Sequence, residues 1–71
     1  MNGRQFIRKI RKLGRTRQIE VRVVKSRGKG SHVVLYYGSR FATMKDRKKD
    51  LSAGLLAAML GQLGLDREDL E

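Results

Sequence analysis

Apolar residues recur at helical spacing at both ends of this 71-residue chain, alternate singly from Ile19 to Val23 and run together from Val33 to Tyr37. Few architectures accommodate that change of period in so short a length, because a helical stripe and a two-residue alternation each leave a face that must be covered. At the start, Phe6, Ile10 and Leu13 fall on one stripe with Ile7 beside them, and Asn2 followed three residues later by Gln5 provides a capping box. Gly14 is the expected stop of this helix. Arg4, Arg8, Arg11 and Lys12 occupy its other side, so the helix offers one face to a core and one to water or phosphate.

From Gln18 to Lys25 the residues Ile19, Val21 and Val23 alternate with Glu20 and Arg22, the pattern of a half-buried strand. Ser26 to Ser31 is too glycine-rich for regular structure and reads as a turn. His32 to Tyr37 is β-branched and aromatic enough for a second strand. Gly38-Ser39 suits a two-residue type II′ hairpin, which returns Arg40 to Met44 as a third, antiparallel strand. Residues 45 to 50 contain no apolar side chain and read as an exposed, charged connector. Ser52 then caps a helix in which Leu55, Leu56, Met59, Leu60 and Leu63 recur at helical spacing, with Gly64 as its stop. Ala57, Ala58 and Gly61 are expected to allow this helix to approach the sheet closely.

The order helix, strand, strand, strand, helix, with both helices applied to one face of the sheet, describes a two-layer α+β fold. Residues 1–71 form one domain, closed by a short acidic tail at 66–71, since domains commonly exceed about 50 residues and no second core fits. No repeat or low-complexity segment interrupts it.

Charge narrows the choice of partner. The chain has 17 basic and 7 acidic residues, a net charge of +10, and four of the acids, Asp66, Glu68, Asp69 and Glu71, stand in the final six positions. Such an excess attracts phosphate backbones through counterion release, whatever the base sequence. No apolar run reaches the roughly 18 residues of a membrane span, and no secretory signal opens the chain, so it reads as a soluble protein with no membrane partner. The absence of cysteine excludes disulfides and thiolate sites and is consistent with the cytoplasm. Scattered carboxylates and a single histidine imply no metal site and no cofactor. Gly28-Lys29-Gly30-Ser31 is not a nucleotide phosphate loop, because Val23 stands where that motif requires its first glycine.

His32 is the candidate for chemistry. Histidine is the side chain whose ordinary titration suits proton transfer near neutrality, and this one follows a glycine turn bearing Arg27 and Lys29. Backbone N–H groups and two cations in such a turn can hold a phosphate beside the imidazole.

Arg27-Gly28-Lys29-Gly30-Ser31-His32 resembles the glycine-serine-histidine signature of the HicA toxins. The Gly38 hairpin, the basic connector, the run Leu51-Ser52-Ala53-Gly54-Leu55-Leu56 and the segment Met59 to Leu65 follow the same pattern, so the resemblance spans nearly the whole chain. It implies a fold like a double-stranded-RNA-binding domain, endoribonuclease activity on messenger RNA (an mRNA interferase), a HicB-like antitoxin as protein partner, and His32 at the catalytic position. His32 stands alone where members of that family often carry two histidines in tandem, and no proline lies near the third strand.

Two functions follow as expectations. In the first, His32 acts as general acid or base in metal-independent RNA cleavage, while Arg27, Gly28, Lys29, Gly30 and Ser31 bind the phosphate and Lys45, Arg47, Lys48 and Lys49 bind the RNA backbone. In the second, the same cations grip A-form RNA by shape without catalysis. DNA recognition is less well supported, since no recognition helix rich in base-reading amides is present.

Overall fold

A computed structural model describes residues 1–25 and 32–70. Helix α1 (Gly3–Arg17), strands β1 (Val21–Lys25), β2 (Val33–Tyr37) and β3 (Arg40–Met44), helix α2 (Ala53–Gln62) and a final 3-10 turn (Arg67–Leu70) follow in that order. The sheet is antiparallel with strand order β1-β2-β3. Both helices lie against one of its faces, α1 over β1 and β2 and α2 over β3. The expected α+β architecture with two helices and a three-stranded antiparallel sheet is therefore present.

The core takes one stripe from each helix and alternate residues from the strands. Phe6, Ile7 and Ile10 of α1 meet Val33, Leu35 and Tyr37 of β2, Ala42 and Met44 of β3, and Leu56, Met59, Leu60 and Leu63 around α2. Val21 and Val23 of β1 pack against its margin. The hairpin has the expected two-residue form, with Tyr37 opposite Arg40. Gly38 has φ +62, as the first position of a type II′ turn requires, and Ser39 does not share the positive sign.

The capping box of α1 forms as its sequence indicates: Asn2 Oδ1 accepts from the Gln5 N–H at 2.9 Å, and Gln5 Oε1 accepts from the Asn2 N–H at 2.9 Å. The far end does not follow expectation. Gly14 is not a stop; the helix continues to Arg17 and ends with Gln18 in the left-handed conformation at φ 59. The first strand consequently begins at Val21 rather than Gln18. Gly14 is glycine for a different reason. It is buried, and a Cβ built there would lie 2.7 Å from the Ile19 carbonyl oxygen and overlap the Val21 side chain, because the chain doubles back directly across it. Gly14→Ala is thus expected to destabilise the fold by about 1–3 kcal/mol through overpacking, despite the better helix propensity of Ala. Denaturant midpoints of the two proteins check this; an unchanged or raised midpoint would refute the crossing geometry.

Helix α2 is capped by Ser52, whose Oγ accepts from the Leu55 N–H at 3.2 Å, and Gly64 with φ +74 turns the chain away after it. Two expectations for this helix fail. Leu55 is 46 % exposed rather than part of the core stripe, and Ala57, Ala58 and Gly61 face solvent, so it is the larger Leu56, Met59 and Leu60 that contact the sheet.

The acidic C-terminal segment is anchored. Asp69 pairs with the Arg17 guanidinium at the end of α1 and also accepts from the Asp66 N–H at 2.7 Å. The Asp66 N–H, followed by Arg17, holds the Asp69 carboxyl below its ordinary range, and Asp69 in turn raises Arg17. The Tyr37 hydroxyl is buried beside Arg17 but outside hydrogen-bonding geometry. A depressed carboxyl contributes stability above its unfolded-state value, near 4, and loses that contribution as pH falls through the lower folded-state value. Asp69→Asn is therefore expected to lower the thermal midpoint near neutrality and to match the parent once both are fully acidified. A difference independent of pH would show that the ion pair is not its source.

Candidate nucleic-acid interface

Strand register gathers the charged candidates at one end of the sheet. Val33 lies opposite both Lys25 and Met44, so His32, immediately before β2, shares that end with Lys25 and Lys45. His32 is exposed and stands just before the strand rather than as its first residue. The connector from Lys45 to Asp50 then returns to the start of α1. The Arg4 N–H donates to the Arg47 carbonyl at 3.1 Å, the Leu51 N–H donates to the Met1 carbonyl at 2.8 Å, and Asn2 and Asp50 form an isolated antiparallel bridge. Gly3 permits this approach: a Cβ there would lie 2.8 Å from the Arg47 Cα.

The connector is accordingly less of a free loop than its composition indicates. Lys45, Lys48 and Lys49 are exposed, whereas Arg47 is half-buried and uses its backbone to position α1. The Lys48 N–H donates to Asp46 Oδ1 at 2.9 Å, which tightens the turn. Arg27, Gly28, Lys29, Gly30 and Ser31, the expected phosphate cradle, lie outside the described residues.

From this end the exposed side of α1 extends the positive surface. Arg4, Arg8, Lys9, Arg11, Lys12 and Arg15 are exposed on a helix that contains no acidic residue. None of them joins an ion pair among the described residues. Arg8, Lys9, Lys12 and Arg15 border a shallow depression with Thr16. Lys9, Arg15 and Lys25 were not among the candidates read from sequence; Arg15 was missed because the helix was expected to end before it.

No group of three or more histidine, cysteine or acidic side chains suited to a metal ion occurs among the described residues. No described helix is long and apolar enough to cross a membrane. No protein-family model matches the sequence, and neither the curated proteins nor the solved structures searched show a significant match.

Proposed function

We propose that this protein binds RNA through the cationic side of α1 and the connector and cleaves it with His32, as the toxin of a toxin–antitoxin pair. The observation that carries the reading is the register, which puts the only histidine, exposed, at the sheet end where Lys25, Lys45 and the first turn of α1 converge. The helix-sheet-helix order is also that of a double-stranded-RNA-binding domain, a fold that recognises A-form backbone by shape and charge.

In the proposed reaction the His32 imidazole accepts the proton of a ribose 2′-OH as that oxygen attacks the adjacent phosphorus. The new O2′–P bond replaces the P–O5′ bond, leaving a 2′,3′-cyclic phosphate and a 5′-OH that takes its proton from water. General base help of this kind is worth about 10² to 10⁴-fold. Lys25 and Lys45 stabilise the charge that develops on the phosphoryl oxygens. No step uses a metal ion. Messenger RNA in the cytoplasm is the substrate this reading implies, and a small HicB-like antitoxin with carboxylates placed against the cations is the partner, with charge complementarity speeding encounter.

The presence of only one histidine in the sequence favours a second reading, an RNA-binding module without catalysis, because no second imidazole shares the acid and base roles. Incubating the purified chain with a mixed messenger RNA in the presence of a chelator separates the two. Cleavage with cyclic-phosphate ends supports the nuclease; intact RNA that is nonetheless bound supports the module. Expression in cells should arrest growth and co-expression of a neighbouring small acidic protein should restore it, whereas normal growth without such a protein would count against a toxin.

A further inference from the structure

The sheet face turned away from both helices carries a row of side chains that neither the core nor the cleavage reading uses. Register aligns Arg22 of β1, Tyr36 of β2 and Phe41 of β3 across it. The Arg22 guanidinium carbon lies 4.8 Å from the centre of the Tyr36 ring. The Tyr36 and Phe41 rings are 5.9 Å apart between centres, with planes inclined by 44°. Phe41 is 57 % exposed, more than any other large apolar side chain described. A shallow groove beside it, at the edge of β3, is lined by Ser39, Arg40, Phe41, Thr43 and Gln62.

We propose that this row is a stacking platform for an unpaired base of a single-stranded nucleic acid, with Arg22 contacting a flanking phosphate. An aromatic ring held open beside a row that carries the Arg22 guanidinium, with hydroxyls and an amide at its margin, supplies a partner for each part of a nucleotide. The ring receives the base face, Arg22 receives a phosphate, and Ser39, Thr43 and Gln62 offer hydrogen bonds to the base edge. Every base has a π-face, so the contact tolerates sequence, but a base stacked within a duplex cannot present it. Charge argues against a second copy of the chain as occupant, because two molecules of net charge +10 would bring Arg22 against like charge. Glu20 lies 3.3 Å from Arg22 Nε, but both side chains are exposed, and a phosphate replaces such a surface pairing at little cost. The proposal rests on the nucleic-acid reading above and adds a base-binding face distinct from the cationic side of α1.

Equilibrium binding of a short oligodeoxyuridine, which lacks the 2′-OH needed for cleavage, is compared with that of an abasic oligonucleotide of equal length and charge. The parent protein is expected to bind the oligodeoxyuridine about tenfold more tightly, within the range measured for a single base stacked on an aromatic side chain. Phe41→Leu, apolar but not aromatic, should erase that preference and leave abasic binding unchanged; Phe41→Tyr should retain it. Circular dichroism establishes that each variant is folded. Equal and strong binding of both oligonucleotides by the parent would overturn the stacking platform while leaving the phosphate grip intact. Binding of neither would overturn both readings. A preference that survives Phe41→Leu, or a dimer that Phe41→Leu dissociates in sedimentation, would also overturn the platform.

Discussion

His32→Ala is expected to abolish RNA cleavage while leaving the fold and the RNA affinity in place. The side chain is exposed just before β2, outside the core, so its removal creates no cavity. The cations that attract phosphate remain in the variant, and affinity for RNA is governed mainly by their number. Loss of a general base costs about 10² to 10⁴-fold in rate, enough to bring weak cleavage below detection. The measurement pairs the rate of product formation, in a chelator and with end analysis for the cyclic phosphate, with circular dichroism and an affinity for the intact strand. Undiminished cleavage by the folded variant would remove His32 from the mechanism. Loss of cleavage together with loss of affinity would place the histidine in binding rather than chemistry.

The second large effect is expected along α1. Replacing Arg4, Arg8, Arg11 and Arg15 with Gln retains good helix formers and leaves Phe6, Ile7 and Ile10 in the core, so the fold should hold. Each phosphate that the protein no longer neutralises reduces the slope of log affinity against log salt by about 0.7 to 0.9, depending on whether the strand is single or double. With several phosphates left to their counterions, binding should weaken by about two to three orders of magnitude at low salt and its salt dependence should flatten, across unrelated sequences. The corresponding connector variant, with Lys45, Lys48 and Lys49 changed to Ala, should show the same behaviour to a smaller degree. Arg47 is left unchanged in it because it is half-buried, unlike the three exposed lysines. An unaltered slope in the α1 variant would make that side a solvated helix face and move the interface elsewhere.

What could be read from sequence was mostly local. Asn2 with Gln5, Gly38-Ser39 and Ser52 act within a few residues of themselves, and the cap, the hairpin and the second helix start stand where those signals put them. Gly14 misled because its reason is tertiary: the same residue that ends helices elsewhere is here the gap through which Ile19 and Val21 pass. In α2 nearly every residue is apolar or small, so the pattern alone did not identify the face that carries Leu56, Met59 and Leu60 and leaves Leu55 outside. The run Val33-Val34-Leu35-Tyr36-Tyr37 hid its two faces in the same way. Register resolves it, and the two-residue hairpin was a signal from which the meeting of Tyr36 and Phe41 follows. The position of His32 beside a strand was legible, but its company with the first turn of α1 depends on the connector's pairing with residues at the other end of the sequence.

The Arg17–Asp69 pair has a consequence for motion as well as for folding. By fixing the acidic 3-10 turn to the last turn of α1, it confines those carboxylates roughly 20 Å from the first turn, at 1.5 Å of rise per residue. The acidic turn is thereby kept away from the His32 end, and the charge distribution carries an electric dipole with its positive side toward that end. In the field of a polyanion such a dipole experiences a torque, so the protein rotates before contact and arrives with that side leading. Ionic strength sets how far out the rotation begins, because the field decays over about 10 Å at 0.1 M salt. Added salt therefore slows productive encounter by randomising the angle of approach, in addition to weakening the attraction once the surfaces meet.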